Sequence, residues 1–382
     1  MTRLLDLPDE ILDMIVKHYL LEFRFDGGQR LWSPWHAIPP SQLQSSLASN
    51  LNHLVKTSKR FHNLYQSLLH TNVAFSISEH ELSKFLRTVE QSPALVHITV
   101  SFYARFATLE DIMSLFSLPN INALAIKSIH KWEVPVLNPS QYHKSTVQHL
   151  YLPSCAEGGS CPSDTLAYPA ALKSLEYEHD YYQSAESRHP YWTSDTLMDA
   201  LSHHRTTLER LTLTRTKTAA AQIVDRPAID LSTYTALKSL SITWFMLQLD
   251  DQQWEQECYK RMPPLLEHLQ VLYDEGEDDY NTVLDEEWIW LKGVLRNKAA
   301  LPALKKIDIV SCEVPYVDSD DDPDYDEGEY YCQRPYRRWA TAAQLEAAEA
   351  WTLPSDVMDL AADAGIELGV TLGYGVRLRE SS

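Results

Sequence analysis

Four residues in the middle of the chain have the chemistry of zinc ligands. His143, His149, Cys155 and Cys161 recur every six residues, and imidazole and thiolate side chains are the usual ligands of structural zinc. The segment contains no Cys-x-x-Cys pair, which such zinc sites normally use. Cys155 also falls at the end of a predicted strand, where its side chain would turn inward. We therefore interpret it as a buried structural thiol and predict no zinc site.

An acidic stretch has the spacing of calcium ligands. In DSDDDPDYDEGE (318–329), carboxylates stand at positions 1, 3, 5, 7, 9 and 12 of a 12-residue loop. Pro323, however, occupies the position at which a calcium loop requires glycine for its sharp turn. Because so many like charges repel one another, we expect a solvated, mobile insertion over residues 313–340, acidic first and then basic in RPYRRW (334–339). We predict neither a metal nor a cofactor.

The chain lacks the sequence motifs of common catalytic sites. It contains no G-x-S-x-G nucleophile motif, no glycine-rich phosphate loop and no H-E-x-x-H zinc motif. A hydrolase on an α/β fold would need a nucleophile, a base and an oxyanion-stabilising loop. We therefore predict that the protein is not an enzyme.

Length and composition indicate a folded protein of a reducing compartment. With 382 residues the chain is too long for one compact core, so several domains or an elongated repeat are expected. No apolar run approaches the ~18–20 residues of a transmembrane helix. The N-terminus is acidic where a secretory signal would be basic, and five cysteines show no close pairing. These features predict a cytoplasmic or nuclear protein without a membrane partner.

The net charge is concentrated in two segments. It is −20 in total, and residues 274–287 and 318–329 each hold eight acidic residues and no basic one. Without those sixteen charges the remainder carries −4. Nucleic-acid binding requires a basic face, so the charge argues against a nucleic-acid partner.

A repeated apolar pattern runs through the middle of the chain. Eight segments each contain an apolar residue, two variable residues, a second apolar residue, one variable residue and a third apolar or aromatic residue. The first apolar positions are Leu95, Ile121, Val147, Leu172, Leu208, Leu237, Leu266 and Leu304. Five of the seven intervals between them fall within the 20–29 residues of leucine-rich repeats. The pattern predicts eight short strands.

Between the predicted strands the apolar spacing becomes helical. Residues 193–204 place Leu197 and Leu201 four apart, and residues 284–297 hold a second apolar stripe that begins at Trp288. The alternation predicts an α/β fold over residues 77–312: an open leucine-rich-repeat solenoid with a parallel sheet on the concave side and helices on the convex side. An irregular α/β domain rich in leucine is the alternative.

The C-terminal segment, residues 341–382, is expected to complete the array. AADAGIELGVTLGY (361–374) has the pattern of a closing helix, a turn at Gly365 and a last strand.

The open face of the predicted sheet is the candidate binding surface. Solenoids generally bind proteins or peptides on such extended faces. The outward residues flank the last two apolar positions of each strand, and a merely solvated face is the alternative at any one of them. The candidate target-binding residues are His149, Tyr151, Glu176, Glu178, Arg210, Thr212, His268 and Gln270.

The N-terminal segment has an apolar surface wider than one core requires. In LLDLPDEILDMIVKHYL (4–20), apolar residues cover about 240° of a helix, whereas a surface helix needs a stripe little over ~100° wide. Its Leu-Pro-acidic-acidic-Ile-Leu run (7–12) closely resembles the first half of an F-box. LNHLVKTSKRFHNLYQSLLHTNVAFS (51–76) resembles the second half through its Lys-Arg-Phe element. An inserted loop at about 22–45 separates the halves, so residues 1–76 are assigned to the F-box.

An F-box followed by leucine-rich repeats is similar to a group of filamentous-fungal proteins with divergent repeats. The resemblance implies the substrate-recognition subunit of a cullin–RING (SCF-type) ubiquitin ligase. Its partners would be the adaptor subunit, through it a cullin, and an unknown target protein. A repeat-based interaction scaffold without ligase activity is the alternative. The implied adaptor-binding residues are Leu7, Pro8, Ile11, Leu12, Ile15, Leu51, Leu54 and Phe61.

Overall fold

The structure is a computed structural model, and it describes part of the chain. The described residues are 72–77, 97–102, 115–118, 121–127, 140, 142–156, 165–180, 194–215, 229–247, 257–273, 288–311, 339–340, 342–372 and 377–378.

Ten strands form one parallel sheet whose spatial order follows the order of the chain. The strands are β1 (Asn72–Ile77), β2 (His97–Phe102), β3 (Ala123–Lys127), β4 (His149–Ala156), β5 (Ser174–Asp180), β6 (Arg210–Arg215), β7 (Ser239–Thr243), β8 (His268–Tyr273), β9 (Lys306–Ser311) and β11 (Glu367–Thr371). Strands β1 and β11 stand at the two ends of this order, so the sheet is open. β10 (Trp339–Ala340) and β12 (Arg377–Leu378) form a separate parallel pair.

Helices and turns connect the strands. Among the described residues, the α-helices include α1 (Ser194–Leu201), α2 (Trp244–Leu247), α3 (Ile289–Arg296), α4 (Ala342–Ala350) and α5 (Ser355–Ala364). Short 3-10 turns of the described part of the chain occupy Ser202–His204, Cys258–Arg261 and Lys298–Ala300. The predicted α/β class with an open parallel sheet is confirmed.

The apolar residues of the repeated pattern form a core on one face of the sheet. Leu208, Leu211 and Leu213 are all buried, and they pack in one cluster with Leu197 and Leu201 of α1. The equivalent residues of the following units are buried in the same way: Leu237, Leu240, Ile242, Leu266, Leu269, Val271, Leu304, Ile307 and Ile309. Because side chains alternate along a strand, the residues between them lie on the opposite face.

A ladder of backbone hydrogen bonds extends the sheet one residue before the strands. The Glu209 amide donates to the carbonyl of Lys173 (2.8 Å), and the Lys238 amide donates to the carbonyl of Glu209 (2.9 Å). The step recurs from Glu267 to Lys238, from Lys305 to Glu267 and from Glu367 to Lys305. The ladder gives partners to backbone groups at the point where each strand begins.

The start of α3 differs from the sequence-based expectation. The helix begins at Ile289 rather than at residue 284, because Trp288 has a φ of 59°, outside the right-handed helical region. The Trp288 ring is fully buried and packs against Tyr273 and Trp351, with ring centroids 6.4 and 6.3 Å apart. Its predicted place in the core is therefore confirmed, although it lies outside the helix.

Of the two end strands of the sheet, β11 was predicted from the sequence and β1 was not. Gly365 ends α5 with a φ of 65° and leads into β11, as the sequence predicts. The six residues of β1 were not predicted to be a strand, and they pair in parallel with β2. The sheet thus extends to residue 72, inside the range assigned to the F-box from the sequence.

Candidate functional site

Two rows of aligned residues cross the face of the sheet opposite the core. The first row is His149, Ser174, Arg210, Ser239, His268, Lys306 and Glu367. The second row is Tyr151, Glu176, Thr212, Ser241, Gln270, Asp308 and Gly369. Neighbours in a row stand on strands about 4.8 Å apart, so their side chains lie side by side. We call this surface the polar face.

The polar face contains the predicted target-binding residues. Seven of the eight stand in the two rows, and Glu178 follows Glu176 on β5 in register with Thr214. The common signal was the alternation of the apolar pattern, which fixes which residues of each strand point away from the core.

The side chains of the polar face are less exposed than those of an open, solvated surface would be. Tyr151, Glu176 and His268 are buried, with 6–7% of each residue exposed. His149, Arg210, Thr212 and Gln270 are half-buried. Side chains from adjacent parallel strands cover one another at this spacing. The half-buried residues are therefore the ones that offer surface to a partner.

A group of charged and titratable residues on this face lies on β8, β9 and β11. His268 Nε2 is 2.6 Å from Asp308 Oδ2, and Lys306 Nζ is 3.1 Å from the same oxygen. Lys306 Nζ also lies 3.6 Å from Glu367 Oε1 on the end strand. We call His268, Lys306, Asp308 and Glu367 the polar cluster.

The space for the Asp308 carboxylate depends on Gly369. The two residues stand opposite each other on β9 and β11, and a Cβ atom on residue 369 would overlap Asp308 Oδ1. Glycine at this position therefore lets the carboxylate lie over the neighbouring strand while it contacts His268 and Lys306.

The electrostatics of Asp308 follow from its neighbours. Burial by itself would raise the pKa of this carboxyl, because it disfavours the charged form. Hydrogen bonds from His268 and Lys306, together with their positive charge, outweigh burial and hold the pKa below its ordinary value of 3.8. Asp308 is thus an ionised acceptor at neutral pH.

A second polar contact lies one strand away. Ser241 Oγ donates a hydrogen bond of 2.8 Å to Gln270 Oε1. Because the amide oxygen accepts this bond, the other end of the Gln270 amide is a donor. The polar face thus combines fixed donors and acceptors, an arrangement that suits recognition of polar groups on a partner.

The other sites considered from the sequence lie mostly beyond the described part of the chain. The calcium-like stretch 318–329 and Cys161 are not within it, and neither is any predicted adaptor-binding residue from Leu7 to Phe61. Within the described ranges, no group of three or more His, Cys, Asp or Glu side chains is arranged to hold a metal ion. No helix in those ranges is long and apolar enough to cross a membrane.

The chain matches no protein-family model and no curated protein. The likeness to F-box proteins with leucine-rich repeats therefore rests on the residues and spacings of the sequence itself.

Four residues in or beside the polar cluster were not singled out as functional candidates from the sequence: Lys306, Asp308, Glu367 and Gly369. The alternation placed Lys306 and Asp308 on the outward face, but nothing local distinguished them from other outward residues. Glu367 and Gly369 follow a long interval after β9, and only the pairing of β11 with β9 brings them to Asp308. The signal that could have found Gly369 was a glycine in the middle of a predicted strand, which often marks close approach by a neighbour.

Proposed function

We propose that this protein is the substrate-recognition subunit of an SCF-type ubiquitin ligase. In this proposal the N-terminal F-box docks on the adaptor subunit, which connects it to a cullin, and the polar face binds a target protein. The chain contributes binding and no catalysis, and it acts in the cytoplasm or nucleus.

The observation that carries the proposal is the sequential parallel sheet with two unlike faces. One face holds the apolar residues of the L-x-x-L-x-L pattern, and the other carries polar residues in register. Repetition of strand and turn in chain order is typical of leucine-rich-repeat solenoids, and such proteins bind partners on extended faces. We interpret the sheet as the concave side of such a solenoid.

The ligase assignment depends on the F-box resemblance. The Leu-Pro-acidic-acidic-Ile-Leu run at 7–12 and the Lys-Arg-Phe element at 59–61 occur in the order of an F-box. The wide apolar arc of residues 4–20 fits a helix with two partners, one within the F-box and one on the adaptor. An interface of about 1,200–2,000 Å² with a small apolar anchor would suffice for stable docking.

Binding to the adaptor tests the first half of the proposal. The full chain is purified together with a tagged adaptor subunit, and the double substitution Leu7→Ala/Pro8→Ala is compared with wild type. We expect the wild type to copurify and the variant to lose at least tenfold in retained adaptor. The control is Thr235→Ala/Lys238→Ala, two exposed residues of the array, which should bind like wild type.

The same experiment separates the proposal from its alternative. A scaffold without ligase activity would fail to retain the adaptor in its wild-type form while still capturing partner proteins. Wild-type failure, or full binding by the Leu7→Ala/Pro8→Ala variant, would refute the F-box assignment.

Target binding tests the second half. Proteins retained by the chain are identified with the proteasome inhibited, and Arg210→Glu is compared with Arg296→Glu. Arg210 is half-buried on the polar face, whereas Arg296 is exposed at the end of α3. We expect partners to be lost only with Arg210→Glu. Equal capture by both variants would contradict a role of this face.

A further inference from the structure

Three histidines meet where the turns before β4, β5 and β6 pack together. His143 lies in the turn before β4, and His203 and His204 form the end of the 3-10 turn before β6. The His143 and His203 rings have centroids 4.8 Å apart and are inclined by 58°. His204 Nε2 lies 2.8 Å from the carbonyl oxygen of Leu166, in the helical residues 165–167 that precede β5. The contact therefore joins three successive units of the sheet.

Backbone hydrogen bonds connect the same turns. The His143 amide donates to the carbonyl of Ala167 (2.9 Å), and the Ser145 amide donates to that of Tyr168 (3.0 Å). The His204 carbonyl accepts the Leu208 amide (2.9 Å) just before β6. His143 has a φ of 56°, so the turn that carries it is held in a left-handed conformation. These bonds report directly on whether the turns are closed.

The surroundings of His204 favour a neutral imidazole in one tautomer. The residue is fully buried, and Nε2 must carry a proton to donate to the Leu166 carbonyl. Nδ1 is also buried and has no hydrogen-bond partner among the described residues. A neutral imidazole tolerates this, because an unpaired acceptor nitrogen costs far less than a buried, unpaired N–H that carries a positive charge.

The charges around His204 also oppose its protonation. Burial lowers the pKa of His204 below its ordinary 6.5, the Leu166 carbonyl works in the opposite direction, and the neighbouring His143 and His203 lower the pKa further. Lys144 and Arg205 flank the histidines and are exposed. The carboxylates of α1, Asp195 and Asp199, are exposed as well and do not act on this pKa. No carboxylate among the described residues therefore offsets a positive charge at His204.

We propose that His143, His203 and His204 form an acid-sensitive joint that is closed at neutral pH and opens in mild acid. Well above pH 6.5, His204 is neutral in both the closed and the open state, so pH does not affect the joint. Below pH 6.5, His204 becomes protonated in the open state, whereas in the closed state it stays neutral. For one proton the opening equilibrium then rises by up to about tenfold for each pH unit, until the pH falls below the pKa of the closed state.

The joint would act on the middle of the polar face. The three turns lead directly into β4, β5 and β6, which carry His149, Glu176 and Arg210. Opening of the joint would remove the hydrogen bonds that connect the segments just before these strands.

Hydrogen exchange of the full chain at pH 7.5 and 5.5, corrected for intrinsic rates, tests the proposal. We expect protection in segments 142–147 and 202–210 to fall by up to about tenfold at pH 5.5. The junction of α5 and β11, where the Ile366 amide bonds the Ala361 carbonyl, serves as the internal reference and should not change. Equal protection of the turns at both values would refute the joint.

Two sets of variants assign the effect. His204→Gln retains a side-chain N–H for the Leu166 carbonyl but cannot titrate, so its turns should be equally protected at both pH values. The exposed pair His143→Gln/His203→Gln does not risk the core and should weaken the acid response without abolishing it. If His204→Gln does not fold, the double variant and an NMR titration of His204 in the wild type test the proposal instead. An undiminished response in the double variant, or a His204 ring that titrates at or above pH 6.5, would overturn the proposal.

Discussion

His268 Nε2 lies 2.6 Å from Asp308 Oδ2, across two neighbouring parallel strands and 40 residues apart in the chain. Both residues are buried on the face of the sheet that the sequence predicts to be open. A buried carboxylate is tolerated only when it is paired and hydrogen-bonded, and His268 and Lys306 supply those contacts. The pair therefore holds the side chains at this end of the polar face in place. Its removal is expected to change the free energy of unfolding.

The first prediction concerns the strength of the His268–Asp308 contact. Asp308→Ala should lower the free energy of unfolding by about 1–3 kcal/mol, because the remaining buried donors lose their acceptor. His268→Ala and the double variant complete the cycle, and the double variant should cost less than the sum of the single ones. Urea unfolding gives the values. Asp359→Ala, on the exposed side of α5, is the control; if Asp308→Ala is no less stable than this control, the contact does not contribute.

The second prediction concerns pH. The pKa of Asp308 in the folded protein lies below its ordinary 3.8. The unfolded chain therefore takes up the proton first as pH falls, so the stabilisation is complete well above pH 3.8 and is lost below it. Wild type should be more stable than Asp308→Asn at pH 6, and the difference should shrink as pH falls from 4 to 2.5. If the stability difference between wild type and Asp308→Asn grew as the pH fell, the pKa of Asp308 would be raised and not lowered in the folded protein.

The third prediction concerns the glycine opposite Asp308. In Gly369→Ala the new methyl group would displace the carboxylate from His268 and Lys306. The expected loss is about 1–3 kcal/mol of unfolding free energy. In an Asp308→Ala background the same change at residue 369 should cost almost nothing, because no carboxylate remains to be displaced. Equal costs in both backgrounds would show that the strand, and not Asp308, requires glycine.

The fourth prediction concerns a lysine that closes the turn before β9. Lys298 Nζ donates hydrogen bonds to the carbonyl oxygens of Leu301 (3.0 Å), Pro302 (3.0 Å) and Leu304. Lys298→Met keeps the aliphatic stem and removes these bonds, so thermal unfolding should reveal a loss of about 1–2 kcal/mol.

The matched control for Lys298 is a nearby lysine with a different kind of partner. Lys305 Nζ pairs with Glu267 Oε2 at 2.5 Å, but the lysine side chain is largely exposed and the glutamate side chain is partly exposed. Exposed ion pairs contribute little because water and salt screen them, so Lys305→Met should leave the melting temperature almost unchanged. Equal effects of the two substitutions would contradict the role of Lys298.

The repeated units were predictable because their signal is local. Leu208, Leu211 and Leu213 show both the strand and its buried face within six residues, since apolar side chains at alternate positions can reach only one side of a sheet. The same argument predicted the strands that the structure shows as β2 to β9. The glycine that follows the helical pattern of residues 361–364 predicted the end of α5 at Gly365.

Elements that break the common pattern were not predictable in this way. Strand β1 alternates Val73, Phe75 and Ile77 with smaller residues, but it lacks the leading leucine of the repeat and adjoins the F-box-like segment. The start of α3 follows from the φ of Trp288, whose ring packs against Tyr273 and Trp351. Such packing joins residues that are distant in the chain.

The sequence by itself determined the fold class, the chain-order sheet and which side chains point away from its core, because these follow from apolar periodicity within each unit. Only the tertiary structure decided which outward residues meet. The register of neighbouring strands brings His268 to Asp308 and Gly369 to Asp308, and the packing of three turns brings His143 to His203 and His204. These contacts join residues that lie 40 or more positions apart in the chain, so no local pattern encodes them.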